Sequence, residues 1–256
     1  MGRMQTGANL MGTERVDVVV LTKNSERLLE KCLDSIFENV PVNRLIVVDG
    51  NSTDSTLTIV EKFHHKYGNV VLIKDNGTRG SARLKGIREV QTEWFIFVDS
   101  DVILCNGWYG KAKGYITSNV GAVWGTEVWA GIHDPNVLKL FLRITRKIFE
   151  MRGGTHDLLV RYETIRDIFM PKDLHVFEDA FIKDWIAKKG FRLIPTYNPY
   201  CLHYRPQSVW TTKGSLDLFV EAVRYGSIRK MPKYFLAYAF YTVYVAYRTL
   251  SQELQN

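Results

Sequence analysis

Trp94-Phe95-Ile96-Phe97-Val98-Asp99-Ser100-Asp101-Val102, WFIFVDSDV, decides how the chain is read. Five apolar residues run into two aspartates with one serine between them. An unbroken apolar run of this kind fits a strand buried on both faces. Ending it in two carboxylates costs free energy unless a cation, a helix N-terminus, a hydrogen-bonded turn or bulk water compensates them. Residues two apart in extended backbone project to the same side. Asp99 and Asp101 could therefore hold one divalent cation that keeps positions free for phosphate oxygens. A solvated Asp-Ser-Asp turn satisfies the same pattern.

Outward from this stretch, strands and helices alternate. VDVVVLT (Val16–Thr22) reads as a strand, and the following segment places Leu28, Leu29, Cys32, Leu33, Ile36 and Phe37 at helical spacing up to Pro41. RLIVVDG (44–50) is a second strand, followed by a helical pattern on Leu57, Ile59, Val60 and Phe63. NVVLIKD (69–75) is a third, SARLKGIREV a helix and WFIFVD a fourth strand. This rhythm predicts a mostly parallel sheet covered on both faces. Ligands of such sheets bind beyond the carboxyl ends of the strands, where Asp49 and Asp99 converge. Within VVDGNSTDST (47–56) the hydroxyls and carboxylates suit a helix N-cap.

Beyond residue 105 the rhythm loosens. GAVWGTEVWAG reads as one strand or two, and PNVLKLFLRITRKIFEMRGG as a helix closed by glycines. HVFEDAFIKDWIAKKG reads as a helix with Gly190 at its C-cap. FRLIP and YCLHYRP read as two short strands, and two helical segments broken near Pro232 follow from Lys213. The expected divisions are a flexible leader (1–15), a first half (16–105), a second half of the same domain (106–210) and C-terminal helices (211–256).

A chain of 256 residues, 46% hydrophobic, suffices for one core. The formal charge of +7 favours anionic partners such as nucleotides, phosphates or an anionic membrane surface. No basic-aromatic stripe or zinc pattern supports nucleic-acid binding. Cys32, Cys105 and Cys201 have no spacing for a disulfide framework or a zinc site, so free thiols in a reducing compartment are expected. No signal peptide is evident; Gly2 with Thr6 formally fits a myristoylation pattern.

YFLAYAFYTVYVAY (234–247) is too short for a spanning helix, which needs about 20 residues. Three uses remain for it: packing on the core, self-association, or lying at a membrane interface with Arg224, Arg229, Lys230 and Lys233 toward anionic lipid. The expected location is cytoplasmic, with peripheral attachment to the membrane face as the variant.

VDVVVLTKNSERLLEKCLDSI, LIVVDGNSTDST, GTRGSARLKGI, WFIFVDSDVIL and FEDAFIKDWIAKKGFRL, in this order and spacing, resemble the family 2 glycosyltransferases of GT-A fold over roughly residues 16–205. The resemblance implies an α/β, Rossmann-like, mostly parallel sheet flanked by helices, with a C-terminal helical extension. It implies an inverting, metal-dependent transfer of a sugar from a nucleotide-sugar (UDP-, GDP- or dTDP-linked) to a sugar hydroxyl or a polyprenyl or dolichyl phosphate. Residues 16–105 would then bind the donor and 106–210 the acceptor. Thr22 matches a position whose backbone meets the base, Asp49 the acid that binds the base, and Arg83 a basic residue near the nucleotide. Asp99 and Asp101 match the DxD motif for Mg2+ or Mn2+, Asp101 as the main metal ligand and Asp99 nearer the ribose or the metal's waters. Asp179, beside Glu178 in the ED motif, matches the catalytic base; without the family context both acids would simply favour a helix N-terminus. His203 matches a third metal or phosphate ligand, or else a buried, hydrogen-bonded histidine. Arg205 could touch the diphosphate, and His156 and Asp157 the acceptor.

The processive members' Q-x-x-R-W motif is replaced by QSVW (207–210), which argues against a processive polysaccharide synthase. A sugar-phosphate nucleotidyltransferase would open with a glycine-rich basic loop where this chain has LTKNSERLL. A degenerate sugar-nucleotide-binding protein is the non-enzymatic alternative, disfavoured by the intact acidic residues.

Overall fold

The structure, a computed structural model, describes residues 15–129, 140, 154–204, 212–226, 232, 235, 236 and 239. In chain order the elements are β1 (Val16–Thr22), α1 (Glu26–Asn39), β2 (Val42–Asp49), α2 (Thr56–Tyr67), β3 (Val70–Lys74), α3 (Arg79–Glu89), β4 (Trp94–Asp99) and β5 (Val102–Leu104). There follow α4 (Trp108–Lys113), β6 (Val120–Trp129), β7 (Asp157–Arg161), α5 (Glu178–Lys188), β8 (Arg192–His203) and α6 (Thr212–Tyr225). The strands form one sheet in the order β3-β2-β1-β4-β7-β6-β8-β5.

The first four strands are parallel and read as apolar runs because both faces are covered. Val18 and Val20 face a core layer with Leu29, Leu33 and Ile36 of α1, while Val19 joins Ile87 of α3 on the other side. Gly86 marks the closest approach of α3 to the sheet: a Cβ there would collide with Cγ1 of Val19. Overpacking costs about 1–3 kcal/mol, more than the roughly 1 kcal/mol that alanine gains over glycine in a helix. Gly86→Ala is therefore expected to lower the urea midpoint, as equilibrium denaturation followed by circular dichroism would register.

The second half departs from the sequence reading in several places. β7, a strand that the sequence reading does not propose, runs antiparallel between β4 and β6. FRLIP and YCLHYRP are parts of a single strand, β8, which pairs parallel with β6 and antiparallel with β5. GAVWGTEVW is one continuous strand. Helix α4 carries no amphipathic signature long enough to notice, and its Trp108 is fully buried. The ED helix begins at Glu178, later than the periodicity places it, and ends before Gly190, whose φ of 84° is a left-handed turn.

Most of the expected helix over 135–154, Arg205, QSVW and most of 234–247 lie outside the described residues. Among the described residues, no helix is long and apolar enough to cross a membrane. The three cysteines are free and buried.

Candidate active site

The carboxyl ends of β1, β2 and β4 share one edge of the sheet, and two turns there are stitched to each other. Asn24 N–H donates to Ser52 Oγ (2.9 Å), Ser25 N–H to Thr56 Oγ1 (2.7 Å), and Thr53 N–H to Asn24 Oδ1 (2.9 Å). The stretch read as suited to an N-cap serves the helix start through the Asp54 carboxylate. Ser55 makes no side-chain cap; Asp54 instead accepts from Thr56 N–H (3.0 Å) and from Glu26 N–H (3.1 Å), serving the first turns of α2 and α1 together. Asp49 is fully buried and accepts from Thr22 Oγ1 (2.8 Å), Ser52 N–H (2.8 Å) and Ser52 Oγ (2.6 Å). A carboxylate so bonded fixes the β2–α2 turn.

The Asp99-Ser100-Asp101 turn is tied at both ends: Asp99 N–H donates to His156 O (3.3 Å), and Tyr204 N–H to Asp101 O (2.9 Å). Within the protein, the charges at the strand end are met by two cationic side chains. Arg83 reaches from α3 to Asp99 Oδ1 with Nη2 (2.6 Å) and also donates to Thr155 Oγ1 (2.5 Å). Burial alone would raise the Asp99 pKa, but the charge of Arg83, seconded by His203, holds it down at about 2. The buried guanidinium lies over the Phe97 ring, and its Nε and Nη1 have no hydrogen-bond partner. Unpaired guanidinium N–H groups at a buried position are a ready seat for an anion.

His203 Nε2 stands 3.1 Å from Asp101 Oδ1, and its Nδ1 lies 3.0 Å from Glu127 Oε1. Glu127 approaches His156 Nε2 at 3.9 Å, and His156 Nδ1 pairs with Asp157 Oδ1 at 2.7 Å. Asp157 Oδ2 in turn accepts from Trp108 Nε1 (3.0 Å) and Gly125 N–H (3.1 Å). Carboxylates and imidazoles thus alternate from the DxD turn into the core. His156 is 3% exposed and Asp157 fully buried, so both face the interior of this chain of contacts rather than an open pocket. Glu127 is a site residue that the sequence reading missed. An acid at an inward position of the otherwise apolar VGAVWGTEVW was the available signal.

Burial lowers the His203 pKa, but hydrogen bonds and charge from Asp101 and Glu127 outweigh it and raise it to about 9. The folded value lies above the ordinary histidine value of about 6.5. The resulting stability is present in full below about pH 6.5 and is lost as pH rises through about 9, a loss on the order of 3 kcal/mol. Asp99, held low, loses its contribution only in acid, outside that window. In metal-free buffer, the denaturant midpoint is expected to fall between pH 6.5 and 9.5, and to fall less in His203→Gln. An identical slope in both proteins would remove His203 as the cause.

On the far side of the crevice stands α5. Asp179 Oδ1 accepts from Ala180 N–H (2.6 Å), and a Cβ on Gly154 would sit 3.5 Å from Asp179 Oδ2. Glu178 is 5% exposed; burial and the neighbouring Asp179 charge raise its carboxyl to about 7, against the pull of Arg83 and Arg79. The oxygens of Asp99 and Asp101 and a nitrogen of His203 all lie within 4.8 Å of one another. Two hard oxygens and an imidazole fit Mg2+ or Mn2+ with coordination positions to spare.

Residues 17–166 match the family described as Glycosyl transferase family 2. The chain belongs to that family. A PGL/p-HBAD biosynthesis glycosyltransferase of Mycobacterium bovis is 30% identical over 204 residues, covering 78% of this family 2 chain and 68% of that protein. A poly(ribitol-phosphate) beta-glucosyltransferase of Bacillus spizizenii is 38% identical over 109 residues, which take in 39% of this chain but only 17% of that enzyme. Among solved structures, a mannosyltransferase of Pyrobaculum calidifontis in complex with GDP-Man and Mn2+ shares 22% identity and a TM-score of 0.63, covering 90% of this chain and 69% of that one. That likeness supports the fold: the mostly parallel sheet flanked by helices is the GT-A arrangement.

Proposed function

We propose that the chain transfers a sugar from a nucleotide-sugar to an acceptor hydroxyl or lipid phosphate, with inversion and with a divalent cation. The observation that carries this reading is the convergence on one crevice of Asp99, Asp101 and His203, of the unpaired N–H groups of Arg83, and of the carboxyl-bearing start of α5. Asp101 and His203 would hold Mg2+ or Mn2+, with Asp99 beside them. When bound, the cation supplies charge to stabilise the departing diphosphate. Arg83 adds its free donors to the same anion. Asp179 takes the proton of the acceptor hydroxyl as the hydroxyl oxygen bonds to the anomeric carbon. The anomeric bond to the diphosphate breaks on the opposite face, and one displacement inverts the centre. Thr22 and Asp49 act at the base end of the donor through the turn they fix, since the Asp49 carboxylate is already engaged. Residues 16–105 form the donor half and 106–210 the acceptor half. Relatives bearing poly(ribitol-phosphate) names add phosphate-rich polymers to the acceptor classes open to this chain.

A thermal-shift screen of UDP-, GDP- and dTDP-sugars, with and without Mn2+, tests the reading. Ligand that binds only the native state raises the melting temperature. A shift confined to one base and dependent on Mn2+ is the expected result. No shift for any of the donors, at concentrations to the millimolar range, would count against donor binding.

A further inference from the structure

Helix α6 lies beyond the segment that matches the family, which ends at residue 166. Its Leu218, Ala222 and Tyr225, spaced at i, i+4 and i+7, pack on the core layer that includes Phe177 and Ile182 of the α5 region, while Leu216, Val220 and Val223 stay exposed. Between the packing residues, Glu221 makes an unusual set of bonds. Its Oε2 accepts from the backbone N–H groups of Val176 (2.7 Å) and Phe177 (2.9 Å), and both oxygens accept from His175 N–H (3.1 Å). These three donors immediately precede α5, and Phe177, at the N-cap position, has no side-chain cap of its own. The three N–H groups lie at and just before the N-cap, where no carbonyl of α5 can accept from them, and Glu221 takes the place that an acidic side chain of the first turn fills in a capping box. Asp173, two residues upstream, is pinned to α6 as well, by Arg224 Nη1 (2.5 Å) and Tyr225 Oη (2.5 Å).

We propose that Glu221 is a positioning residue for the Asp179 carboxylate: a cap delivered from α6 that fixes where α5 begins. Asp179 is the second residue of α5, two positions after the last N–H that Glu221 holds. A slip in the start of the helix therefore moves the carboxylate directly, and reaches Arg83 only through the bonds that join residues 172–175 to the first turn of α3. Asp99, Asp101, Arg83 and Asp49 stand on β2, α3 and the β4–β5 turn, none of which Glu221 touches among its hydrogen bonds. The inference rests on Asp179 being the base, so its test separates the two ideas.

Glu221→Ala, Glu221→Gln and, on the exposed side of the same helix, Val220→Ser are compared with the native protein. Amide hydrogen exchange across 173–182 is measured together with turnover of UDP-glucose, GDP-mannose and dTDP-glucose with water as the acceptor. Glu221→Ala is expected to speed exchange at 175–180 by tenfold or more and to lower kcat by about tenfold, with donor KM changed less than twofold. Glu221→Gln, which keeps an acceptor oxygen, is expected to recover part of both, and Val220→Ser to match the native protein. Unchanged exchange at 175–180 in both Glu221 variants overturns the proposal whatever the donor, and so does a donor KM that moves as much as kcat. Accelerated exchange with unchanged kcat, in a protein where Asp179→Asn is also fully active, would sink the base assignment and leave the cap standing.

Discussion

Asp179→Asn is expected to cut sugar transfer by about 10²- to 10⁴-fold, the usual contribution of a positioned general base, and to leave donor binding intact. The amide is nearly isosteric with the carboxylate. Its oxygen can still accept the Ala180 N–H that Asp179 Oδ1 receives at 2.6 Å, so the first turn of α5 is retained. What it cannot do is take a proton. Nucleotide release per unit time gives kcat, and the Mn2+-dependent melting shift with the donor gives binding on the same sample. Normal turnover in the variant would remove Asp179 as the base and turn attention to Glu178, whose raised carboxyl is also poised to exchange protons near neutrality.

The second large effect is expected at Asp101. At a donor concentration of about 100 Kd, binding stabilises the native state by about 2.7 kcal/mol, or about 5–10 °C in a chain of this size. Asp101→Ala removes one of the oxygens grouped with Asp99 and His203, and the Mn2+-dependent part of that shift is expected to vanish. Arg83 and Asp99 keep their own contact at 2.6 Å, so the variant should still fold. A full shift in Asp101→Ala would place the cation elsewhere or dispense with it.

The first half of the fold was legible because its signals are local. Apolar runs of the β1, β2 and β4 type leave few alternatives to buried parallel strands, and the acids at their ends declare the functional edge. Glu127, Thr155 and Glu221 were not legible. Each acts across 44 to 76 residues of chain in the contacts described: Thr155 on Arg83, Glu127 on His203 and Glu221 on the start of α5. No spacing rule links such pairs. The same reason hides β8: FRLIP and YCLHYRP read as two short strands, and the pairing of both with β6 makes them one. His156 and Asp157, which the resemblance set near the acceptor, lie buried in the chain of contacts that runs in from the DxD turn, a partnership that sequence spacing does not announce.

β8 also sets an order of events. His203, the residue that meets Asp101, lies at its far end, and Asp179 precedes it by only 24 positions, whereas Asp49 and the DxD turn are complete by residue 101. A growing chain on the ribosome therefore carries Asp49, Asp99 and Asp101 long before it owns His203, the proposed base or the Glu221 cap. On the proposed mechanism, the half-built crevice has no means of activating a hydroxyl during synthesis, and chemistry waits for β8 and the helix behind it.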